Sequence, residues 1–377
     1  MSNAVVVQWA RLGDVLQTRV LLKRLRQSGQ RVILCADAQF ASVVLCFPEI
    51  DDFWPMELVP WTAQARHAPS QPALLENMAA RLADMATTDV DAVYVLNHSL
   101  AAVAFAELLQ PRTMHGFTSK ANVLQTPPAL KWIEHERREG NSVPVHVADI
   151  WAELVQQRTQ PEWLPALRVQ RDKESRSSAV RIGFICDAGD ANREIPEFWL
   201  ADLISACAAL GRECVLLGRS KRAVASFGDA KDLRGRTDLA SLMSELSSLD
   251  VVIGPDTGGL HLAAALGVPV IGLYFGGAVA ANTGPYASSA MVVPELAWKS
   301  ETAREVLRLM DALISKQPII GSDSLTVLTP RLDEFGLFYE PTQDHAARMT
   351  IMNERRSLFD NMKRGSLANA NSEPCFT

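Results

Sequence analysis

Residues 251–276 have the sequence VVIGPDTGGLHLAAALGVPVIGLYFG, which predicts a strand, a polar junction, a helix and a second strand. The first apolar residues indicate a buried strand that stops at Gly254-Pro255, because proline does not continue a central strand. An alanine-rich segment then predicts a helix to Leu266, which Gly267 ends. The second apolar run, 270–274, predicts another buried strand.

The junction at the start of this helix is polar and rich in glycine: it contains Asp256, Thr257, Gly258 and Gly259, and His261 follows about one turn into the helix. Free backbone N–H groups and the helix dipole make such a junction a good phosphate site, which His261 is close enough to assist. An isolated Asp-Thr-Gly is more often a simple cap and turn. These residues alone are consistent with both interpretations, a phosphate site and a simple cap and turn.

Composition indicates a two- or three-domain protein, since the chain has 377 residues. The net charge of −6 gives nucleic-acid binding no electrostatic support. The longest apolar runs are too short to span a bilayer, and no secretory signal is recognisable, so we expect a cytoplasmic protein. Six cysteines without a CxxC pair predict reduced thiols, and no residue spacing suggests a metal site.

Strands and helices alternate along both halves of the sequence. The predicted strands are 4–9, 31–35, 53–54, 92–96, 114–118, 180–185, 214–217, 251–253 and 270–274. The predicted helices are 15–27, 38–46, 74–86, 99–109, 146–157, 197–210, 239–247 and 342–363. The last of these helices carries Met349, Met352, Phe359 and Met362 along one side, which predicts that it packs against the body of the protein. We interpret the charged run 134–139 as a solvated surface.

Two successive α/β halves predict two doubly wound domains that face each other, with the ligand beyond the carboxyl ends of the strands, in the cleft. We expect an N-terminal domain over 1–160, a linker over 161–179, a C-terminal domain over 180–330, and a helical tail over 331–377 with a frayed end.

Several other polar residues are candidates from position alone. Asp14 follows Gly13 where the first strand meets a helix, as either an N-cap or a general base. Arg193 precedes the helix that starts at Pro196-Glu197. The simpler interpretation is that it is an arginine in an exposed loop. His98 ends a strand, and Thr283 with Gly284 forms a turn.

The string D-T-G-x-x-H with its alanine-rich helix resembles the nucleotide-sugar half of the heptosyltransferases, glycosyltransferase family 9. Residues 5–25, VVVQWARLGDVLQTRVLLKRL, resemble the opening motif of that family, R-x-G-D-V-L-x-T-x-x-L. The resemblance covers residues 4–330. It implies the GT-B architecture of two Rossmann-like domains, with the acceptor on the N-terminal domain and the nucleotide sugar on the C-terminal one.

The resemblance also implies an activity: inverting, metal-independent transfer of heptose from ADP-heptose to a saccharide or other hydroxyl acceptor, with no further cofactor. The family's usual acceptor is the lipopolysaccharide core. The implied partners are a nucleotide sugar and a glycan or lipid-linked acceptor at the inner membrane surface, with no nucleic acid, and the implied state is a monomer.

Residue roles follow from the same resemblance. Asp14 takes the place of the base, with Arg11, Gly13 and His98 on the acceptor side. Arg193, His261 and the backbone of Thr257–Gly259 would neutralise the diphosphate of the donor. Asp256 would accept hydrogen bonds from sugar hydroxyls or fix its own loop. The loop with Thr283 and Gly284 would close over the sugar and phosphates.

The chain departs from the family pattern at several positions. Ile195 replaces a tryptophan, Arg193 replaces a lysine, and no glutamate follows Gly218 closely. Residues 235–239, GRTDL, resemble the family's G-x-T-x-L, although a helix cap at Thr237 or Asp238 explains them equally well. The alternatives are therefore a non-catalytic nucleotide-sugar-binding protein, or a GT-B transferase or epimerase that uses another nucleotide sugar.

Overall fold

The computed structural model of the chain describes residues 2–58, 83, 85, 87–139, 143–155, 160–169, 179–186, 188–189, 191–219, 228, 230–275, 279–294, 298–317, 319, 325–342 and 344–363. The predicted helix 74–86 and most of the predicted linker fall largely outside these residues. The described parts of the chain divide into two compact units. Met1–Ser142, Ala148–Gln160 and Phe359–Thr377 contribute to the first, and Val143–Val147 and Pro161–Leu358 to the second.

The first unit is built on a parallel sheet of five strands in the order β3-β2-β1-β4-β5. Its three central strands are mostly buried apolar runs, which suits a parallel sheet covered on both faces. The strands are β1 Asn3–Gln8, β2 Arg31–Asp37, β3 Asp52–Met56, β4 Ala92–Val95 and β5 Thr113–Gly116, and a separate hairpin pairs β6 Thr118–Lys120 with β7 Val123–Gln125. The helices are α1 Leu12–Gln17, α2 Arg19–Gln27, α3 Ala41–Val44, α4 Leu100–Leu108, α5 Pro128–Arg138 and α6 Val147–Ala152, the first residue of which belongs to the second unit.

Two predictions in this unit were wrong in detail. The helix predicted at 15–27 is two helices, which meet at Thr18, where the hydroxyl donates back to the carbonyl of Asp14. The helix predicted at 38–46 is a 3₁₀ turn followed by the single turn of α3.

The charged run 134–139 is mostly exposed, as predicted, and most of it lies on helix α5, which was not predicted. This helix starts at Pro128, because proline is favoured in the first helical turn.

The second unit is built on a sheet of eight strands in the order β10-β9-β8-β11-β12-β13-β14-β15. Its first six strands are parallel and its last two pairings are antiparallel. The strands are β8 Arg181–Ile185, β9 Glu213–Leu217, β10 Lys231–Asp232, β11 Val251–Pro255, β12 Val270–Tyr274, β13 Ala290–Pro294, β14 Leu328–Asp333 and β15 Gly336–Pro341. The helices are α7 Glu197–Ala209, α8 Leu239–Ser247, α9 Gly258–Ala265, α10 Ala280–Thr283, α11 Ser300–Ile314 and α12 His345–Lys363, whose C-terminal end lies in the first unit.

Strand β11 does not stop at Gly254-Pro255 as predicted. Both residues pair with β12, whereas β8 pairs only with Val251–Ile253, so the proline lies beyond the central pairing that it would disrupt. A Cβ on Gly254 would lie 2.8 Å from Cβ of Ile185, which explains why glycine is needed at this approach of β8 and β11.

The end of the chain is more than a helix. The predicted boundary at residue 330 falls inside β14, where Pro330 pairs with Tyr339 near the edge of the sheet. On the predicted apolar side of α12, Phe359 is buried as expected, whereas Met349 is 47% exposed, and the charged Arg355 is fully buried. The Arg355 guanidinium binds Asp333 with both ends and also donates to the carbonyls of Pro144, Gly336 and Leu337.

Candidate functional site

In the second unit the site lies where the strand order reverses, between β8 and β11. Chain connections leave these neighbouring strands in opposite directions, and ligands in doubly wound sheets bind beyond the carboxyl ends of such strands. The segment after β8 carries Arg193 in a 3₁₀ turn, and the segment after β11 carries Asp256. The topology therefore brings together residues that lie 63 positions apart in the sequence.

The carboxylate of Asp256 is the centre of the site. Its Oδ1 lies 3.2 Å from Nε2 of His261 and accepts a 3.0 Å hydrogen bond from the hydroxyl of Tyr274. Its Oδ2 lies 3.5 Å from Nη1 of Arg193. The side chains of both Asp256 and Arg193 are mostly buried, so their attraction is screened by water less than that of a surface pair.

These neighbours keep Asp256 ionised. Burial by itself would raise the pKa of the Asp256 carboxyl. The hydrogen bond and charge of His261, the hydrogen bond from Tyr274 and the charge of Arg193 outweigh that effect, so the pKa lies below its usual value. Burial and the nearby Asp256 charge raise the pKa of Tyr274 well above its usual value, so its hydroxyl stays protonated and able to donate.

Helix α9 begins directly beside this carboxylate. Thr257 is its N-cap residue, with extended backbone (φ −142°, ψ 160°), but its side chain does not cap the helix. The first N–H groups of a helix have no intrahelical partners, and here they belong to Gly258, Gly259 and Leu260. Among the described residues, the buried hydroxyl oxygen of Thr257 has no hydrogen-bond partner. This helix start can therefore donate several hydrogen bonds to an anionic ligand.

Thr283 and Gly284 lie at the end of α10, on a segment that is firmly held. The carbonyl of Thr283 lies 3.3 Å from the Tyr274 hydroxyl, which links this segment to Asp256. The side-chain amide of Asn282 donates to the carbonyls of Val143 and Val145, both at 2.7 Å. A Cβ on Gly284 would lie 2.4 Å from the ring of Tyr339, so only glycine fits there without movement of this ring.

Residues 143–147 hold this segment through a second contact. Nε2 of the fully buried His146 donates to the carbonyl of Gly284 at 2.8 Å, and its ring meets Tyr286 edge to face. The sequence pattern predicts His146 only as the start of a helix. No local signal marks it, because its partner lies 138 positions away.

Acid is expected to weaken the second unit through His146. Burial lowers the pKa of His146 from 6.5 to about 3, so the folded protein keeps it neutral while the unfolded chain protonates it below about pH 6.5. The unfolded state therefore binds more protons between about pH 6.5 and 3, and stability falls as the pH is lowered through this window. At pH 4 the loss is on the order of 3 kcal/mol.

Urea unfolding of the native protein and of His146→Gln, which keeps an N–H donor, measures this effect. The stability advantage of the native protein over the variant should shrink by that amount from pH 7 to pH 4. It should change little between pH 7 and pH 8, where the imidazole is mostly neutral in both states. An advantage that stays constant down to pH 4 would contradict the assignment.

In the first unit Asp14 is the third residue of α1 and not its N-cap, which is Arg11. The exposed Asp14 carboxylate accepts a hydrogen bond from the backbone N–H of Arg11 at 3.2 Å. Gly13 lies within the same first turn. The alternative of a plain N-cap is therefore wrong in position, although the carboxylate does satisfy one of the N–H groups at this helix start.

His98 lies after β4, exposed, with its ring edge-on to Phe117 at 5.3 Å between centroids. Its neighbour Asn97 is the residue that connects to the loop after β1, through hydrogen bonds to Gln8 and Trp9. His98 is a sequence candidate because it ends a strand and because the family resemblance implies an acceptor-side loop there, whereas nothing in the sequence marks the amide of Asn97.

The structure thus brings Arg193, Asp256 and His261 together, next to the Thr257–Gly259 helix start. It adds Tyr274, which the sequence marks only as the end of a strand. Ile195, which stands in place of the family's tryptophan, is a buried core residue. In the GRTDL segment, Asp238 caps α8 by accepting from the N–H of Ser241 at 2.7 Å, which favours the structural interpretation.

Within the described ranges, no group of three or more His, Cys, Asp and Glu side chains is placed to hold a metal ion. None of the helices in the described part of the chain is long and apolar enough to cross a membrane.

Known structures share this fold. A glycosyltransferase family 9 protein from Veillonella parvula DSM 2008 is 16% identical with a TM-score of 0.64, and the match covers 84% of this chain and 98% of that one. The E. coli ADP-heptose LPS heptosyltransferase II is 18% identical with a TM-score of 0.62, covering 84% and 99%. The E. coli heptosyltransferase WaaC with ADP is 18% identical with a TM-score of 0.63, covering 82% and 99%.

Sequence comparison gives the family. No curated protein matches the sequence. The model of the family described as glycosyltransferase family 9 (heptosyltransferase) matches residues 83–311, which is more than half of the chain and includes Arg193, Asp256 and His261. With two Rossmann-like units of the GT-B type and this match, the chain belongs to glycosyltransferase family 9 and is a glycosyltransferase.

Proposed function

We propose that the protein transfers heptose from ADP-heptose to a hydroxyl group of a saccharide acceptor, with inversion at the anomeric carbon and without a metal ion. The observation that carries this proposal is the cluster of Arg193, Asp256 and His261 at the start of α9. Two similar structures, an ADP-heptose LPS heptosyltransferase and a heptosyltransferase with ADP, support the choice of donor.

The donor diphosphate would lie at the N-terminal end of α9. The unsatisfied N–H groups of Gly258 and Gly259 would donate to its oxygens, and the buried Thr257 hydroxyl would gain the partner it lacks among the described residues. Arg193 adds a permanent positive charge with a planar, bidentate donor geometry. Together they would stabilise the negative charge that develops as the diphosphate leaves, which is usually the largest contribution to catalysis.

Asp256 would hold this site in place. Its carboxylate already receives hydrogen bonds from His261 and Tyr274 and faces Arg193, so it orients the groups that surround the diphosphate. This arrangement favours the loop-fixing role over direct binding of sugar hydroxyls. The rigidly held Thr283 and Gly284 would border the sugar from the adjoining segment.

The reaction would use Asp14 as the general base. The acceptor oxygen forms a bond to the anomeric carbon, the bond from that carbon to the diphosphate oxygen breaks, and the hydroxyl proton passes to the Asp14 carboxylate. Asp14 lies in the first turn of α1, with its carboxylate exposed. Arg11, Gly13 and His98 would border the acceptor.

The proposal extends to the partners and the organisation of the chain. The acceptor would be the lipopolysaccharide core or a related lipid-linked glycan, met by a monomeric protein at the inner membrane surface. Residues 1–160 would bind this acceptor, and residues 180–330 would bind the donor.

Donor binding tests the proposal. Isothermal titration of the native protein with ADP-heptose, ADP, UDP, GDP, CMP and dTDP should show binding of the two adenine compounds only. Arg193→Gln should weaken ADP binding by about 10- to 150-fold, because a hydrogen bond to a charged group contributes about 1.5–3 kcal/mol.

The matched control is Arg308→Gln, which removes an exposed arginine paired with Glu305 on α11 of the same unit and should leave ADP affinity unchanged. Tight binding of another nucleotide instead of ADP would overturn the donor but keep the site. Equal ADP affinity in the native protein and Arg193→Gln would overturn the proposed diphosphate site.

A further inference from the structure

The first unit contains a buried polar network at the switch point of its own sheet. Strands β1 and β4 are parallel neighbours there, in register from Ala4 opposite Ala92 to Val7 opposite Val95. The chain leaves β1 through Trp9 towards α1 and Asp14, and it leaves β4 through Leu96 towards Asn97. The two loops therefore emerge side by side at the carboxyl edge of the sheet.

Three buried side chains connect these loops. The amide of Asn97 donates to Oε1 of Gln8 at 3.0 Å, and its carbonyl oxygen accepts from the backbone N–H of Trp9 at 2.5 Å. Nε2 of Gln8 donates to Oγ1 of Thr18 at 3.3 Å, and Thr18 in turn donates to the carbonyl of Asp14 at 2.8 Å. Gln8, Thr18 and Asn97 are 2%, 0% and 8% exposed, so these bonds do not compete with bulk water.

The network holds both ends of the segment from Trp9 to Thr18, which carries Asp14 in the first turn of α1. At the start, Oε1 of Gln8 accepts from the N–H of Ala10 at 3.3 Å, while Asn97 holds Trp9. At the end, Thr18 lies at the junction of α1 and α2 and binds the backbone of Asp14 itself. The Asp14 side chain is exposed, so its position depends on how firmly its backbone is held.

We propose that Gln8, Asn97 and Thr18 form a hydrogen-bond relay, which carries no proton itself but positions Asp14 for proton transfer. These residues therefore set kcat and not donor affinity. The inference rests on the proposed role of Asp14 as the base. Gln8 does not touch the reacting atoms and is a positioning residue. Loss of an amide in such a network leaves its buried partners unsatisfied and lets the loop shift.

A double-mutant cycle tests this relay, with transfer measured as ADP released from ADP-heptose in the presence of heptose-deficient lipopolysaccharide core. Gln8→Met should lower kcat by about 10- to 100-fold, the cost of a displacement of about 1 Å at a reacting group, with the donor KM changed less than about twofold. In the Asp14→Asn background, Gln8→Met should lower kcat no further, because the group it positions is already disabled.

Thr18→Val and Thr18→Ser form a matched pair, since only the first removes the hydroxyl. Thr18→Val should therefore lower kcat as Gln8→Met does, and Thr18→Ser should behave like the native protein. A crystal structure of Gln8→Met should show Asp14 displaced. Equal losses from Gln8→Met in both backgrounds, or an unmoved Asp14, would overturn the relay. If Asp14→Asn leaves kcat intact, the base itself is wrong; if Asp14→Asn removes transfer but Gln8→Met does not slow it, only the relay is wrong.

Discussion

Asp14→Asn is expected to lower kcat for sugar transfer by about 10²- to 10⁴-fold, the usual contribution of a general base. Asparagine has nearly the same shape, and its carbonyl oxygen can still accept the hydrogen bond from the N–H of Arg11, so the start of α1 should be preserved. The amide cannot take a proton from the acceptor hydroxyl. ADP affinity should not change, because Asp14 lies in a different unit from Arg193 and Asp256.

Steady-state kinetics with ADP-heptose and titration with ADP measure the two effects separately. Asp238→Asn is the matched control, since Asp238 also serves a helix start, at α8, and asparagine caps helices as well as aspartate does. That variant should retain the native kcat. Transfer by Asp14→Asn at the native rate would show that another group accepts the proton.

Glu49→Gln is expected to destabilise the first unit by about 3–5 kcal/mol, the usual cost of breaking a buried ion pair. Arg19 and Glu49 are 1% and 4% exposed and are joined by two hydrogen bonds, at 3.0 and 2.7 Å. The Arg19 guanidinium also lies over the ring of Phe47. Glutamine keeps the volume but removes the carboxylate charge that Glu49 places beside the buried arginine. Urea unfolding, followed by a probe of the first unit, measures the loss.

Two comparisons isolate the buried charge as the cause. Asp89→Asn removes a partner of Arg112 from an ion pair that is 67% and 77% exposed, and it should cost no more than about 1 kcal/mol. The double change Arg19→Met with Glu49→Leu should be less destabilising than Glu49→Gln alone, because the buried positive charge is removed together with its carboxylate partner. A loss from Glu49→Gln as small as that from Asp89→Asn would contradict this account.

The sequence gives no sign of this pair. In the structure Glu49, which lies 30 positions from Arg19 in the turn before β3, accepts two hydrogen bonds from the Arg19 guanidinium. Only the fold of the first unit brings these two side chains together.

The central strands and the motif from Asp256 to His261 could be predicted from the sequence because their signals are local. Apolar runs of four to six residues mark the central strands of a parallel sheet, and the junction from Asp256 to His261 spans one turn of a helix, so spacing alone places its groups together. Predictions failed where a signal was short or ambiguous: at the break at Thr18, at α5 behind two prolines, and at β14, which contains a proline near the sheet edge.

What no spacing could reveal is the set of side chains that hold the site residues in place. Tyr274 reaches Asp256 from the end of β12, His146 reaches Gly284 across 138 positions, and Asn97 reaches Gln8 across 89. Local sequence determines which backbone a segment adopts and which groups it carries. The order of the strands in the sheet decides which distant groups meet, because hydrogen bonds between loops depend on adjacency in space and leave no periodic pattern along the chain.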